Sequence, residues 1–367
     1  MLRTLDKLIT PIKHHLLTVS FVAGFVVDSY TLSRVDKLFD NAVLATYVVV
    51  SMLGIIYLYF GTSGKRTERF QSIAAKWAPV IIQYAFGGLM SGILVFYSRS
   101  GSWWTSWPFL ILIFGVILGN EFIKKRAQRL VFNLTIFFIG LFAYAALIVP
   151  VVLGRMGDIV FVCSGILALV IFILFTRVLY AIVPNFMALN TRFVFFSIGM
   201  AYVLLNTLYF TNLIPPIPLS MKDMGIYHSV VELSTESGGS KRYQLSYEQG
   251  PWYAPWRQSD STYHYKQGDR VYCYASVFAP SGLTTNIVHT WEFYDTAKGR
   301  WILHEKIPYA IVGERGGGYR GYSFIESVQD GAWRCSVETP RGQVIGRATF
   351  GVITGTVPRT LVSRVDL

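Results

Sequence analysis

The sequence predicts an α-helical membrane bundle of about seven transmembrane helices, followed by a C-terminal all-β sandwich of immunoglobulin-like type. Three observations lead there. Long apolar runs fill the first 214 residues, prolines at 215, 216 and 218 end the last of them, and period-two alternation dominates afterwards. The expected organisation is a membrane domain at 1–214, a Pro-rich hinge at 215–225 and a β-domain at 226–367.

A helix that crosses about 30 Å of hydrocarbon at about 1.5 Å per residue needs about 20 apolar residues. Such runs occur at 16–33, 42–60, 77–97, 106–123, 131–153, 159–183 and 193–214. The first has Arg3, Lys7 and Lys13 ahead of it, like a signal peptide. No small-residue cleavage site follows and a second span comes almost at once, so it reads as an uncleaved span.

Orientation follows from the cations, because Lys and Arg beside short loops are retained in the cytoplasm. With the N-terminus inside, the inner segments carry 12 Lys and Arg and the outer loops carry 4. An odd number of spans then puts the β-domain outside. The same asymmetry accounts for the net charge of +12, of which residues 1–221 hold +10 and the remainder only +2. The excess is a topology signal, and membrane lipid rather than nucleic acid is the expected partner.

In the second half, Val271, Cys273, Ala275 and Val277 alternate with Tyr272, Tyr274 and Ser276, and Ile287, His289, Trp291 and Phe293 alternate with Val288, Thr290 and Glu292. Turn-like DTAKGR leads into WILHEKI, and GYSFIESV, AWRCSVET and QVIGRATFGVI follow, separated by QDG and TPRG. Short strands with Gly-rich turns at this spacing indicate a β-sandwich. Proline cannot continue a helix and fixes its own φ, so PPIP is expected to end the last span and act as a short stiff spacer.

Several stretches together resemble a known family. His289-Thr-Trp291, Tyr319-Arg320-Gly-Tyr322-Ser323 and Gly331-Ala-Trp333-Arg334 in the β-domain carry it, with Gly24 to Asp28, Gln83 to Gly88 and Tyr209 to Pro218 in the membrane half. The pattern is similar to the domain of unknown function 2914 family of bacterial membrane proteins. The resemblance implies an envelope location and this architecture. It implies no activity, so no catalytic residue comes with it.

The residues themselves point away from an enzyme, a cofactor or a metal. Gly316, Gly318 and Gly321 spell GxGxxG, but a dinucleotide site needs a helix to follow and a strand-like YSFIESV follows instead. His304-Glu305 lacks the second His of a zinc protease motif. His289 shares a strand face with Trp291, where it is either a titrating group or a core histidine bonded to backbone. Cys273 and Cys335 both face the expected core and form either a disulfide or two buried thiols.

The binding candidates are Trp252, Tyr253, Trp256, Arg257 and Tyr263, in an aromatic Pro/Gly-rich stretch at 247–266, with His289, Trp291 and Arg320. Aromatic faces with polar handles stack on sugar rings or anchor protein partners, and equally form a belt at lipid headgroups. In the membrane half, Asp28 lies late in an apolar span and is read with Arg34, Asp36, Lys37 and Asp40 as either an ion-pair cluster or an ion site. Gln83 falls mid-span, and Gly88 with Gly92 forms a GxxxG that packs helix on helix.

The sequence therefore leads to a bacterial inner-membrane protein with a cytoplasmic N-terminus. Its periplasmic β-domain is expected to bind an envelope glycan or a protein. A transporter or channel capped by that domain is the alternative.

Overall fold

The computed structural model describes residues 26, 28–32, 34–62, 68–100, 103–122, 130–233, 242–250, 261–312, 318–355 and 360–366. The chain divides into two compact units, a helical one of Met1–Ser98 and Ser106–Ile214 and a β-rich one of Arg99–Thr105 and Pro215–Leu367.

Residues 28–31 are helical, and six longer helices follow. They are α1 (Leu38–Thr62), α2 (Glu68–Arg99), α3 (Trp103–Phe122), α4 (Leu130–Leu153), α5 (Asp158–Ile182) and α6 (Pro184–Phe210). Among the described residues, five helices are long and apolar enough to cross a membrane, in α1, α2, α4, α5 and α6. The expected span at 16–33 lies mostly outside the described residues, and in α3 the apolar stretch among them is Ser106–Gly115.

Small residues let these helices approach closely, as membrane bundles require. A Cβ on Gly88 would overlap the Tyr47 ring of α1, and one on Gly92 would overlap Leu44. The GxxxG is thus a seat for α1 on α2. The Tyr97 hydroxyl donates to the Ala143 carbonyl at 3.0 Å, tying α2 to α4. Phe161 stacks on Tyr209 at 3.8 Å and the Tyr209 hydroxyl donates to Asp158 at 3.3 Å, so the start of α5 meets the end of α6. These two helices form a hairpin that reverses at Val183 alone. The connector expected at 184–192, between the sixth and seventh spans, is helical, with Pro184 in the first turn, where its missing N–H costs nothing.

The stretch read as a stiff spacer is folded. The Ile217 N–H donates to the Pro215 carbonyl at 2.8 Å and the Leu219 N–H to the Pro216 carbonyl at 3.0 Å. Ile214, Ile217 and Leu219 are buried. Strand pairing begins at Ser220, inside the expected hinge.

The described residues of the β-unit form eleven strands in three sheets. They are β1 (Ser220–Tyr227), β2 (Ser229–Leu233), β3 (Arg242–Glu248), β4 (Thr262–Tyr265), β5 (Val271–Phe278), β6 (Thr284–Asp295), β7 (Arg300–Val312), β8 (Tyr319–Ile325), β9 (Gly331–Glu338), β10 (Val344–Thr354) and β11 (Leu361–Val365). A five-stranded sheet runs β4-β10-β9-β6-β7, and two three-stranded sheets run β1-β5-β8 and β11-β3-β2. Neighbours are antiparallel except β4 and β10.

The main core lies between the five-stranded sheet and the β1-β5-β8 sheet. Ile226, Val271 and Cys273 meet Trp291, Trp333, Cys335 and Phe350 there. Cys273 on β5 and Cys335 on β9 are joined as a disulfide across this core. The opposite face of β5 carries Tyr274, which packs with Tyr227, Val230, Tyr243 and Leu245 under the β11-β3-β2 sheet. A third layer and a parallel edge pair thus replace the two-sheet immunoglobulin arrangement expected. The physical reason is that Tyr272 and Tyr274, expected to face water, are apolar enough to seat another sheet.

Candidate functional site

Of the binding candidates, Trp252, Tyr253, Trp256 and Arg257 lie outside the described residues. The other four face inward, which corrects their reading as a binding surface. Tyr263 stands in β4 rather than a loop, is buried, and donates from its hydroxyl to the Arg270 carbonyl at 3.0 Å. Arg320 is bonded to Asp366 at 2.5 Å with its side chain 5% exposed. Trp291 and His289 are fully buried.

His289 is a core histidine, bonded to side chains rather than backbone. Its Nδ1 lies 2.8 Å from Ser323 Oγ and its Nε2 lies 2.8 Å from the Tyr309 hydroxyl. The same Ser323 oxygen accepts the Trp291 indole N–H at 2.9 Å. Burial pushes the imidazole down to about 3, so it is neutral here. Among the described residues, Cys273, His289 and Cys335 form the one group close enough to share a metal ion. Both sulfurs are joined to each other and both ring nitrogens are occupied, so the group offers no ligand atoms.

In the helical unit, Asp28 is buried beside Ser91 and near Tyr47. The Arg34 guanidinium is bidentate to Asp36 at 2.9 and 2.6 Å, and its backbone N–H donates to Asp40 at 3.0 Å. Arg34 and Asp36 are therefore an ion pair, with Asp40 capping the Arg34 backbone N–H. Gln83 is half-buried in α2.

Two arrangements went unread in the sequence. The first is a buried His-Glu-His cluster. Glu248, at the end of β3 and 4% exposed, lies 2.8 Å from His228 Nε2 and 2.6 Å from His264 Nδ1, and accepts the His264 backbone N–H at 3.0 Å. The His228 ring stacks on Tyr263 at 4.0 Å. Burial pulls His228 below the usual histidine range against the opposing pull of Glu248. One carboxylate thus fastens the β1–β2 turn, the end of β3 and β4.

The second is a charged lattice on the outer face of the five-stranded sheet. Glu292 on β6 is opposite Arg334 on β9, Thr290 is opposite Ser336, and Ser336 is opposite Arg347 on β10. Arg334 is bidentate to Glu292 at 2.5 and 2.8 Å and lies over the Trp301 ring at 4.3 Å. The Thr290 hydroxyl donates to Glu338 at 3.0 Å, and Arg347 Nε donates to Ser336 Oγ at 2.8 Å. Burial raises Glu338 above the usual carboxylate range. These charges, held by hydroxyls beneath them, form a polar surface.

No curated protein matches the chain. A structure titled Pseudomonas fluorescens alkylpurine DNA glycosylase AlkC bound to DNA containing an abasic site analog aligns over 88% of this chain and 100% of that one. Its identity is 9% and its TM-score 0.21, too low to carry an argument about fold or function. The segment that builds the lattice, residues 284–352 from β6 into β10, matches the family model described as Protein of unknown function (DUF2914).

Proposed function

We propose that this chain is a bacterial inner-membrane protein that anchors a periplasmic β-unit, and that the β-unit binds an envelope glycan or protein partner. The single observation that carries the reading is the Cys273–Cys335 disulfide, because such bonds persist in oxidising compartments and are rare in the cytosol. The hairpin geometry supports the same orientation. Arg177 and Arg192 are both exposed and fall within about 9 and 14 Å of the reversal at Val183, so one cytoplasmic interface serves both.

Fusions to the full chain test the orientation. Alkaline phosphatase joined after Leu367 should be active and a fluorescent protein there dark, whereas phosphatase inserted after Lys65 should be inactive. The opposite pattern removes the periplasmic assignment. Cys273 and Cys335 in cells should react with maleimide only after reduction and unfolding.

Transport is the second reading, favoured by one observation, the buried Asp28 carboxyl. With Asp28 as a packing group, Asp28→Asn should lower protein abundance and change growth no further. A substrate-dependent growth defect at normal abundance would shift the assignment to a transporter.

A further inference from the structure

We propose that the outer face of the five-stranded sheet binds an acidic saccharide, with Arg347 and Arg334 receiving its carboxylate and Glu292 accepting its hydroxyl protons. The proposal deepens the binding role above and takes from it only the source of the ligand.

Arg347 carries the argument. Its Nε is fixed by Ser336, and its nearest carboxylates, Glu292 and Glu338, act on it only through longer-range attraction. Burial, and next the neighbouring Arg334 guanidinium, pull it below the usual arginine range. A half-buried cation beside a second cation is stabilised by an anion, and a guanidinium is shaped to hold a carboxylate through two parallel N–H groups. Lys306, exposed on β7 opposite Thr290, adds a third positive charge against the two carboxylates of the lattice. The face therefore keeps an uncompensated positive charge.

The rest of the face fits a sugar better than a protein or a bare anion. It is polar, whereas the centre of a protein interface is depleted in charge and rich in apolar anchors. Glu292 presents acceptors suited to hydroxyl groups, and Trp301, held under Arg334, supplies an aromatic edge. Four strands at about 4.8 Å spacing make a flat strip about 14 Å across, the scale of a short oligosaccharide. Ser336 and Thr290 are buried beneath it, so the charged groups are held before any ligand arrives.

The test is calorimetric titration of the full chain in detergent with tetragalacturonate, with maltotetraose as the uncharged control and inorganic phosphate as the bare anion. Tetragalacturonate should bind at least 10-fold more tightly than either. Losing a charged hydrogen bond typically costs 10-fold or more, so Arg347→Gln should weaken binding by about that factor. Arg347→Lys should lie between, and Arg270→Ala, just before β5, should match the parent.

Absence of tetragalacturonate binding, equal binding of maltotetraose, or full binding by Arg347→Gln overturns the proposal. Equal binding of phosphate overturns its saccharide part. None of these outcomes bears on the fusion tests, so the two readings can fail separately.

Discussion

Replacing Cys273 and Cys335 together by alanine is expected to cost the β-unit about 4 kcal/mol. The bond closes a loop with a sequence separation of 62 residues, and removing that closure returns chain entropy to the unfolded state. The loop contains β6 and β7, so the two facing sheets lose the covalent tie that limits their separation when unfolded. Both sulfurs are fully buried among Val271, Trp291 and Trp333, and the alanines also leave a small void there. Pulse proteolysis of the full chain in urea should show the β-unit cleaved at a much lower midpoint. A shift below about 1 kcal/mol would mean that packing alone holds these sheets together.

The same loop shows why part of this fold was legible in sequence. Strands β6 and β9 were readable because one side of each faces the disulfide core and the other a polar lattice, and β5 because its residues alternate in type even though it is buried on both sides. β2, β3 and β11 are short, and β4 reads TYHY within an aromatic stretch that looks like a loop, so local pattern did not separate them. These strands are placed by long-range pairing, as β11 on β3 joins Leu361 to Glu248 and β4 on β10 joins Thr262 to Gly351.

The cysteine pairing was open for a related reason. Alternation places both residues on core faces but does not say which sheets meet. The sites were harder still. His228, Glu248 and His264 are separated by 20 and 16 residues, a spacing with no local meaning, and only the fold brings them together. Arg334 and Arg347 looked like ordinary outward residues, because cross-strand register rather than sequence distance makes them neighbours. By contrast, the glycine seats for α1 were readable, since small residues four apart on one helix face have few other uses.

Mild acid should destabilise the β-unit through its buried histidines, with His289 the larger contributor. An unfolded histidine titrates near 6.5, whereas burial holds His289 at about 3 in the fold. The folded state therefore binds fewer protons throughout this window. Stability is complete above about 6.5 and is lost as pH falls toward 3. Between pH 7.5 and 5 the expected loss from this one residue is about 2 kcal/mol.

His228 acts in the same direction, because burial also lowers it, although Glu248 beside it limits the effect. Protonating His289 turns its accepting ring nitrogen into a donor, so the hydroxyl of Ser323 or Tyr309 bonded to it must reverse its role, while the main penalty is the buried charge. His289→Gln should be less stable than the parent at pH 7.5, since it loses part of the network with Trp291 and Ser323. Its stability should nevertheless fall less steeply between pH 7.5 and 5, because the main titrating group is gone. Midpoints of urea pulse proteolysis for both proteins across this range decide the matter. Parallel pH profiles would mean that the acid sensitivity lies elsewhere, with His228 and its Glu248 partner next to be replaced.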